Sequence, residues 1–480
     1  MFTADRMAAV DANAAALGVP RKQLMESSGN AVARVVRQYV DPNDRVILVC
    51  GRGNNGGDAF VAARFLDAYD VEIALLGHPD RIGTDIAREN WAALQAAELP
   101  TTTVTDSTAI DDLDLAGADC IVDAIVGTGV TGTLREPAAT AARAITTADT
   151  PVVAVDVPSG VNADTGRAAG DAVVADHVVT FHDTKPGLTE LDAAVTVADI
   201  GIPAAAERFV GPGDLLGRER AATSHKGDHG ELLVIGGGPY TGAPALTGQA
   251  ALRAGADLVR VACPESVASE VQGYSENLIV HPLDGRQVTR SVVDDLLTQA
   301  AEVDAVVCGP GLGDSESTRA AASAFLDNYD GRVVVDADAL SVVPEVATDA
   351  TLVCTPHQGE LVGMGGPSAD NREQLADYVA DFAAELGHTL LVKGADDIIS
   401  DGETTRISRT GNPAMTVGGT GDVLAGVTAA LLATENPHQA AAISAYATGR
   451  AGDLAADGVG GGLLATDLLD RLPEAMTPDE

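Results

Sequence analysis

Lysine is nearly missing from this 480-residue chain: Lys22, Lys185, Lys226 and Lys393 are the whole complement, so 26 of its 30 basic residues are arginine. Positive charge as a whole is scarce, with 30 Lys and Arg against 70 Asp and Glu and a formal net charge of −40. Such a surface repels nucleic acid and anionic membranes, so neither is expected as a partner. No apolar run reaches membrane-spanning length, and the first residues carry Asp5, Arg6 and Asp11 among alanines rather than a signal-peptide core. A cytoplasmic protein is therefore the expectation. Cysteine is equally sparing: Cys50, Cys120, Cys263, Cys308 and Cys354 form no C-x-x-C pair, which argues against a disulfide or zinc framework and for buried strand thiols. There is no short-period repeat and no low-complexity tract beyond alanine-rich helices.

What is present is apolar and evenly distributed. Hydrophobic residues make up 46% of the chain, enough for two cores, and the length exceeds what one core usually supports. The acid is spread over both halves rather than gathered in a tail, a pattern that fits a halophilic protein, where concentrated salt screens self-repulsion.

Two helical segments are predicted first, over residues 3–17 and 20–40, with Pro20 as a helix start. Short Val/Ile/Leu-rich runs then recur at 45–50, 71–77, 119–126, 152–157, 177–181 and 195–200, with helical patterns between most of them. Around Gly211-Pro212-Gly213 the series stops, and a second begins with runs at 231–236, 258–263, 277–282, 305–309, 332–336, 352–354 and 389–393, followed by a helical C-terminal third. Continuous apolar strands separated by helices indicate mainly parallel sheets covered on both faces. The reading is α/β with two domains, 1–212 and 213–480.

Unusual residues cluster just after the predicted strands, where open α/β sheets hold their ligands. In the first half, Gly51-Arg52-Gly53-Asn54-Asn55-Gly56-Gly57-Asp58 leads into a helix, Asp123 precedes Gly127-Thr128-Gly129-Val130-Thr131-Gly132, and Asp156-Val157-Pro158-Ser159-Gly160 closes a third strand. Singly, each reads as a turn made of turn-forming residues. On three consecutive strand ends they point instead to a phosphate or ribose site, with amide oxygens able to ligate an alkali cation and Asp156 placed to move a proton. In a chain that avoids lysine, a surviving lysine in a glycine-containing turn is a candidate for a specific task. Thr184-Lys185-Pro186-Gly187, His225-Lys226-Gly227 and Lys393-Gly394-Ala395 qualify, whereas Lys22 reads as a solvated helix charge.

In the second half, Gly418-Gly419-Thr420-Gly421-Asp422 opens an Ala/Leu/Val-rich helix. Glycine lets backbone N–H groups crowd an anion and the helix start adds its own donors, so an aspartate there reads as a base or as a ligand to a hydroxyl or Mg²⁺. Gly236-Gly237-Gly238, Gly309-Pro310-Gly311-Leu312-Gly313, Asp336-Ala337-Asp338 and Thr355-Pro356-His357-Gln358-Gly359-Glu360 follow other strands. His357 alone reads as a capping or core histidine.

Together, Asn54–Asp58, Asp123–Gly129, Asp156–Gly160 and Thr184–Gly187 resemble the NAD(P)H-hydrate epimerase family. The resemblance implies a Rossmann-like three-layer sandwich, K⁺ held by Asn55, Asp123 and Ser159, and substrate held by Asn54, Asn55, Gly56, Gly57, Asp58, Gly127, Thr128, Gly129, Val130, Thr131, Gly132, Thr133 and Asp156. Asp156 would be the acid/base; the scarcity of lysine, rather than the resemblance, makes Lys185 a second catalytic candidate that supplies a positive charge nearby. The second set resembles the ribokinase-like ADP- or ATP-dependent NAD(P)H-hydrate dehydratases. It implies a ribokinase-like α/β domain, substrate at Ala243, Gly313, His357 and Asp422, catalysis by His357 and Asp422, Mg²⁺, and nucleotide at Lys393, Gly394, Ala395, Asp396, Asp397 and Gly421. Asp397 stands where the family usually has Thr or Ser. The resemblances imply NADHX and NADPHX as substrates and ADP as phosphoryl donor; a homo-oligomer is expected. Two rival readings are a kinase for a small hydroxylated metabolite and a chain in which one domain has become a binding module.

Overall fold

The computed structural model describes residues 1–129, 132–218 and 220–478, which fall into two compact units, Met1–Ala206 and Glu207–Glu480. The first is built on seven parallel strands: β1 (Arg45–Cys50), β2 (Asp70–Leu76), β3 (Thr101–Val104), β4 (Cys120–Ala124), β5 (Val152–Val155), β6 (His177–Phe181) and β7 (Ala194–Ala198), in the order β3-β2-β1-β4-β5-β6-β7. The second carries nine: β8 (Glu231–Ile235), β9 (Leu258–Pro264), β10 (Ile279–Leu283), β11 (Ala305–Cys308), β12 (Arg332–Val335), β13 (Thr351–Cys354), β14 (Thr389–Val392), β15 (Asp397–Ser400) and β16 (Thr405–Ser408). Their order is β10-β9-β8-β11-β12-β13-β14-β15-β16, parallel except for the antiparallel edge formed by β14, β15 and β16.

Side-chain alternation explains why the central strands read as unbroken apolar runs. In β1, Val46, Leu48 and Cys50 enter one core while Ile47 and Val49 enter the other. In β8, Leu232 and Val234 face one layer and Leu233 and Ile235 the opposite one. Each sheet is thus the middle of three layers. The helices Arg21–Val36 and Asn54–Arg64 cover one face of the first sheet, and Ala138–Thr147 the other. In the second unit, Gly242–Arg253, Thr420–Leu432 and Pro437–Val459 pack on one face, and Glu316–Asn328 and Arg372–Leu386 on the other. All five cysteines are free and buried, and burial pushes their thiols above the usual range. Among the described residues no helix is long and apolar enough to cross a membrane.

Three elements depart from the sequence expectation. β3 is Thr-Thr-Thr-Val, an edge strand with a single buried residue, and lacks the apolar run that marks the others. The hairpin β15–β16 occupies the start of what the sequence presented as a helical C-terminal third; its strands are four residues each, too short to show a period. Lys226 lies exposed in a turn that leads into the N-terminal end of β8, the opposite end of the strands from the glycine loops, so it takes no place in either site.

Candidate active sites

Each sheet has one point where the chain order reverses, between β1 and β4 in the first unit and between β8 and β11 in the second. At both, the loops leaving the paired strands diverge to opposite faces and leave a crevice. Glycine makes the crevices possible. A Cβ on Gly51, after β1, would sit 1.8 Å from the Ile125 carbonyl oxygen after β4, and one on Gly236, after β8, would sit 2.4 Å from the Pro310 carbonyl oxygen after β11.

In the first unit, Asn54 begins the helix Asn54–Arg64, and Asn55, Gly56, Gly57 and Asp58 fill its first turns, all buried. Asn55 lies against Gly127, and its Nδ2 is buried without a hydrogen-bond partner. Asp123, fully buried near the end of β4, accepts from the Ser159 N–H (2.7 Å) and the Ser159 hydroxyl (2.6 Å). Burial pushes its carboxyl up to about 6, although these hydrogen bonds work the other way. Asp123 and Ser159 thus bring a carboxylate and a hydroxyl oxygen together, and the Asn55 amide lies at the loop that follows β4, beside Gly127. Thr128 and Gly129 follow in the loop after β4, with Gly132 and Thr133 beyond; Val130 and Thr131 lie outside the described residues.

Asp156, just past β5, adopts a left-handed backbone (φ +66°). Its carboxylate accepts from Lys185 Nζ at 2.7 Å, and Lys185 also donates to the Thr180 hydroxyl (2.7 Å) and the Phe181 carbonyl (3.1 Å). Lys185 is completely buried, whereas Asp156 keeps 14% of its side-chain surface. An ammonium withdrawn from water with three oxygen partners is a fixed charge, and the accessible member of the pair is the carboxylate. Two further carboxyls feel this pair. Burial, then Asp156 and Asp11, hold Asp58 well above the usual carboxylate range. Burial pushes Asp11 up to about 6, with Arg21 opposing, Asp156 adding to the rise, and Lys185 and His182 opposing.

Asp11 was invisible to motif reading, because it sits in an alanine-rich helix, Ala4–Ala16. The available signal was its place beside Met7, Val10 and Ala14, the buried stripe of that helix, where a charge has no packing purpose.

In the second unit, Gly419 (φ +99°) caps the helix Thr420–Leu432, so Thr420, Gly421 and Asp422 form its first turn. A Cβ on Gly421 would lie 3.3 Å from Lys393 Nζ, which places that ammonium against the helix start. Lys393 donates to Asp336 Oδ1 (2.9 Å), lies 3.7 Å from Glu360, and keeps its proton above the usual lysine range: burial opposes the charge, but Asp336, Glu360 and Asp422 outweigh it. Asp336 is only 2% exposed and also accepts from the Thr355 hydroxyl (2.8 Å). Burial, followed by Asp336, pushes Asp422 up to about 7, with Lys393 opposing.

A cavity of about 400 Å³ opens beside this turn, between Lys393, Gly394, Ala395 and Asp397 on one side and Thr410–Met415 with Ala445, Thr448 and Gly449 on the other. The second wall carried no motif and was missed in the sequence. Asp397 and Asp396 have structural partners: Asp397 accepts from the Gly394 N–H (2.9 Å) and closes the turn, while Asp396 pairs with Arg372 (2.7 Å). Burial pushes Asp397 up to about 7, with the Gly394 N–H and Lys393 working against it and Asp396 adding to the rise.

His357 caps the short helix Gln358–Gly363, its Nδ1 accepting from the Glu360 N–H (3.0 Å). Nδ1 is occupied as acceptor, Nε2 lies 3.6 Å from Glu360 Oε1, and the side chain is 59% exposed. Ala243 and Gly313 lie in the segments that follow β8 and β11: Gly311 packs against Ala243, and the Gly313 N–H donates to Asp338 (2.7 Å).

The family model described as NAD(P)H-hydrate dehydratase matches residues 232–474, and that described as YjeF-related protein N-terminus matches residues 21–187. Over 495 residues the chain is 43% identical to the bifunctional NAD(P)H-hydrate repair enzyme Nnr of Methanothermobacter thermautotrophicus, covering 98% of this chain and 94% of that one. It is also 43% identical over 498 residues to the protein of the same description from Pyrobaculum aerophilum, covering 99% and 98%. Among solved structures, a ribokinase-like superfamily protein from Enterococcus faecalis aligns with a TM-score of 0.50 at 24% identity, covering 56% of this chain and 95% of that one, a likeness of fold.

Proposed function

The chain belongs to the family of bifunctional NAD(P)H-hydrate repair enzymes, and from that premise we propose how its two sites divide the work. It is an isomerase and a lyase: one domain interconverts the epimers of hydrated NADH and NADPH, and the other removes the added water with ADP or ATP as helper. The proposal concerns residues and donor.

In the second unit the observation that carries the reading is Asp422, a half-buried carboxyl at a helix start beside the Lys393 ammonium. ADP is proposed as donor, its adenosine in the 400 Å³ cavity and its phosphates against Lys393, the 394–397 turn and the Gly421 N–H. Asp422 then takes the proton of the substrate hydroxyl as that oxygen bonds to phosphorus and AMP leaves. Phosphate departs from C6 with the electron pair of the C6–O bond, a proton leaves C5, and the double bond returns. Hydroxide is a poor leaving group and phosphate a good one, so the nucleotide supplies what a protein side chain cannot. His357 Nε2, Ala243 and Gly313 are assigned to holding the substrate.

In the first unit the proposed substrate loops are 54–58 and 127–133, with Asp156 exchanging protons and Lys185 holding its carboxylate in place. Asn55, Asp123 and Ser159 are proposed to hold K⁺ through their amide, carboxylate and hydroxyl oxygens, while the buried, unpartnered Asn55 Nδ2 is a donor that calls for an acceptor such as a substrate oxygen. Bound there, K⁺ supplies a fixed positive charge under the loops. Mg²⁺ is proposed to arrive on the nucleotide phosphates, whose oxygens suit that ion. A cytoplasmic setting fits substrates that form wherever NADH and NADPH are used.

The test is stoichiometry. Purified S hydrate with ADP should give one NADH, one AMP and one phosphate per turnover. A stable phosphorylated product without free phosphate would contradict the reading and favour a small-metabolite kinase.

A further inference from the structure

Asp58 belongs to the proposed substrate loop 54–58, and its buried carboxyl has so far been given no chemical step. Its side chain is 9% exposed, and no hydrogen bond from a described residue reaches it. It is the fifth residue of the helix Asn54–Arg64, on the turn that carries the unpartnered Asn55 amide. Its carboxyl feels the charges of Asp156, just past the end of β5, and of Asp11, on the helix Ala4–Ala16. The Phe2 N–H donates to the Thr184 carbonyl (3.0 Å), the terminal ammonium of Met1 pairs with Asp183 (2.8 Å), and the Phe2 ring lies 5.6 Å from that of His182. The start of the chain is thus tied to the segment that holds Lys185, and Asp11, which feels Asp156 and Lys185, has like Asp58 no hydrogen-bond partner among the described residues.

We propose that Asp58 is the proton donor of the isomerase site and that Asp11 tunes it, across from the Asp156–Lys185 ion pair. This deepens the reading above and rests on it. Inversion at C6 of a hydrated nicotinamide needs a bond at that carbon to break and reform. Asp58 gives its proton to the C6 hydroxyl; the C6–O bond breaks with its electron pair on oxygen, water leaves, and the N1 lone pair forms the N1=C6 bond. Water adds to the opposite face, its oxygen bonding to C6 while the N1 lone pair is restored, and its extra proton passes to the Asp156 carboxylate. Return of that proton from Asp156 to Asp58 resets the site, and in the reverse direction the two residues exchange roles. Atoms and electrons balance with water alone.

The environment suits the assignment. Burial and the negative charges of Asp156 and Asp11 favour the neutral acid at Asp58. The charged or titratable groups facing Asp11 are Arg21, Asp156, Lys185, His182 and Asp58. Because Asp58 must be protonated to act, the rate falls as pH rises through its pKa. Removing the Asp11 charge lowers that pKa, so the falling limb moves to lower pH.

The experiment follows conversion of the R to the S hydrate by chromatography, without nucleotide, across pH 6 to about 10, for the full chain and for Asp58→Asn and Asp11→Asn. Asp58→Asn should reduce kcat by about 10²-fold with KM changed less than about threefold. Asp11→Asn should keep activity at the acid end and show its falling limb at lower pH, an effect that loss of packing does not produce. Wild-type kcat in Asp58→Asn, or an unmoved limb in Asp11→Asn, overturns the proposal while leaving the isomerase reading intact. A wild-type chain that melts cooperatively yet never epimerises overturns both.

Discussion

Asp422 is where function and stability pull apart. Burial has pushed it up to about 7, far above its range in an unfolded chain, so the folded state binds its proton more tightly than the unfolded state does. Its contribution to stability is full at acid pH and declines as pH rises through about 7, where the carboxylate forms in a half-buried setting. Asp422→Asn is therefore expected to raise the melting temperature at pH 8 while reducing dehydration by about 10²-fold or more. In the wild type, kcat/KM for dehydration should rise with pH through about 7, as a base must lose its proton to work. Asp123 gives a second residue-scale prediction. At constant ionic strength, exchanging Na⁺ for K⁺ should raise the melting temperature of the wild type, and Asp123→Ala should abolish the difference. Residues of this kind were legible because an acidic side chain interrupts or follows an apolar run close to glycines, Asp123 inside β4 before Gly127 and Asp422 just after Gly418–Gly421. Asp11 and the Thr410–Met415 wall were not, since a helix face and a cavity wall are assembled by packing and leave no local motif.

At the scale of the element, the site depends on how closely two loops can approach. Gly51 has the Ile125 carbonyl where a Cβ would go, while Gly53, two residues on, has open space. Gly51→Ala should cost about 2 kcal/mol or more and lower epimerase activity, and Gly53→Ala should stay within about 0.5 kcal/mol, both read from denaturant unfolding. Equal effects at the two positions would remove the argument that the crevice is set by backbone contact. The central strands could be read from sequence because burial on both faces leaves them uniformly apolar. The outer elements could not: β3 is nearly all threonine, and Thr-Arg-Ile-Ser in β16 buries Arg406, whose charge is met by Asp214 at 2.6 Å and 2.8 Å. A buried ion pair between residues 192 apart has no signature in a local window.

For the whole molecule the dominant fact is a formal charge of −40. Self-repulsion of that size favours expansion, and screening relieves it, with the Debye length falling to about 3 Å at 1 M salt. The melting temperature should rise steadily from about 0.1 M to 2 M KCl; a flat profile would mean that the surface acid is already neutralised locally by its arginines. The two-unit α/β plan was legible because the strand-and-helix series runs, stops at a Gly-Pro-Gly turn, and runs again. What the chain does with two such units follows from both activities acting on one substrate pool. An isomerase joined to a dehydratase that accepts one epimer allows both epimers to be repaired.

That division of labour is best tested by absorbance at 340 nm after the purified chain is added to an epimeric mixture of hydrated NADH with K⁺, Mg²⁺ and ADP. Complete recovery of NADH is predicted for the wild type, recovery limited to the S fraction for Asp156→Ala, and none for Asp422→Ala. Complete and equally fast recovery in Asp156→Ala, or recovery in Asp422→Ala at more than about a hundredth of the wild-type rate, would contradict the assignment of the two sites.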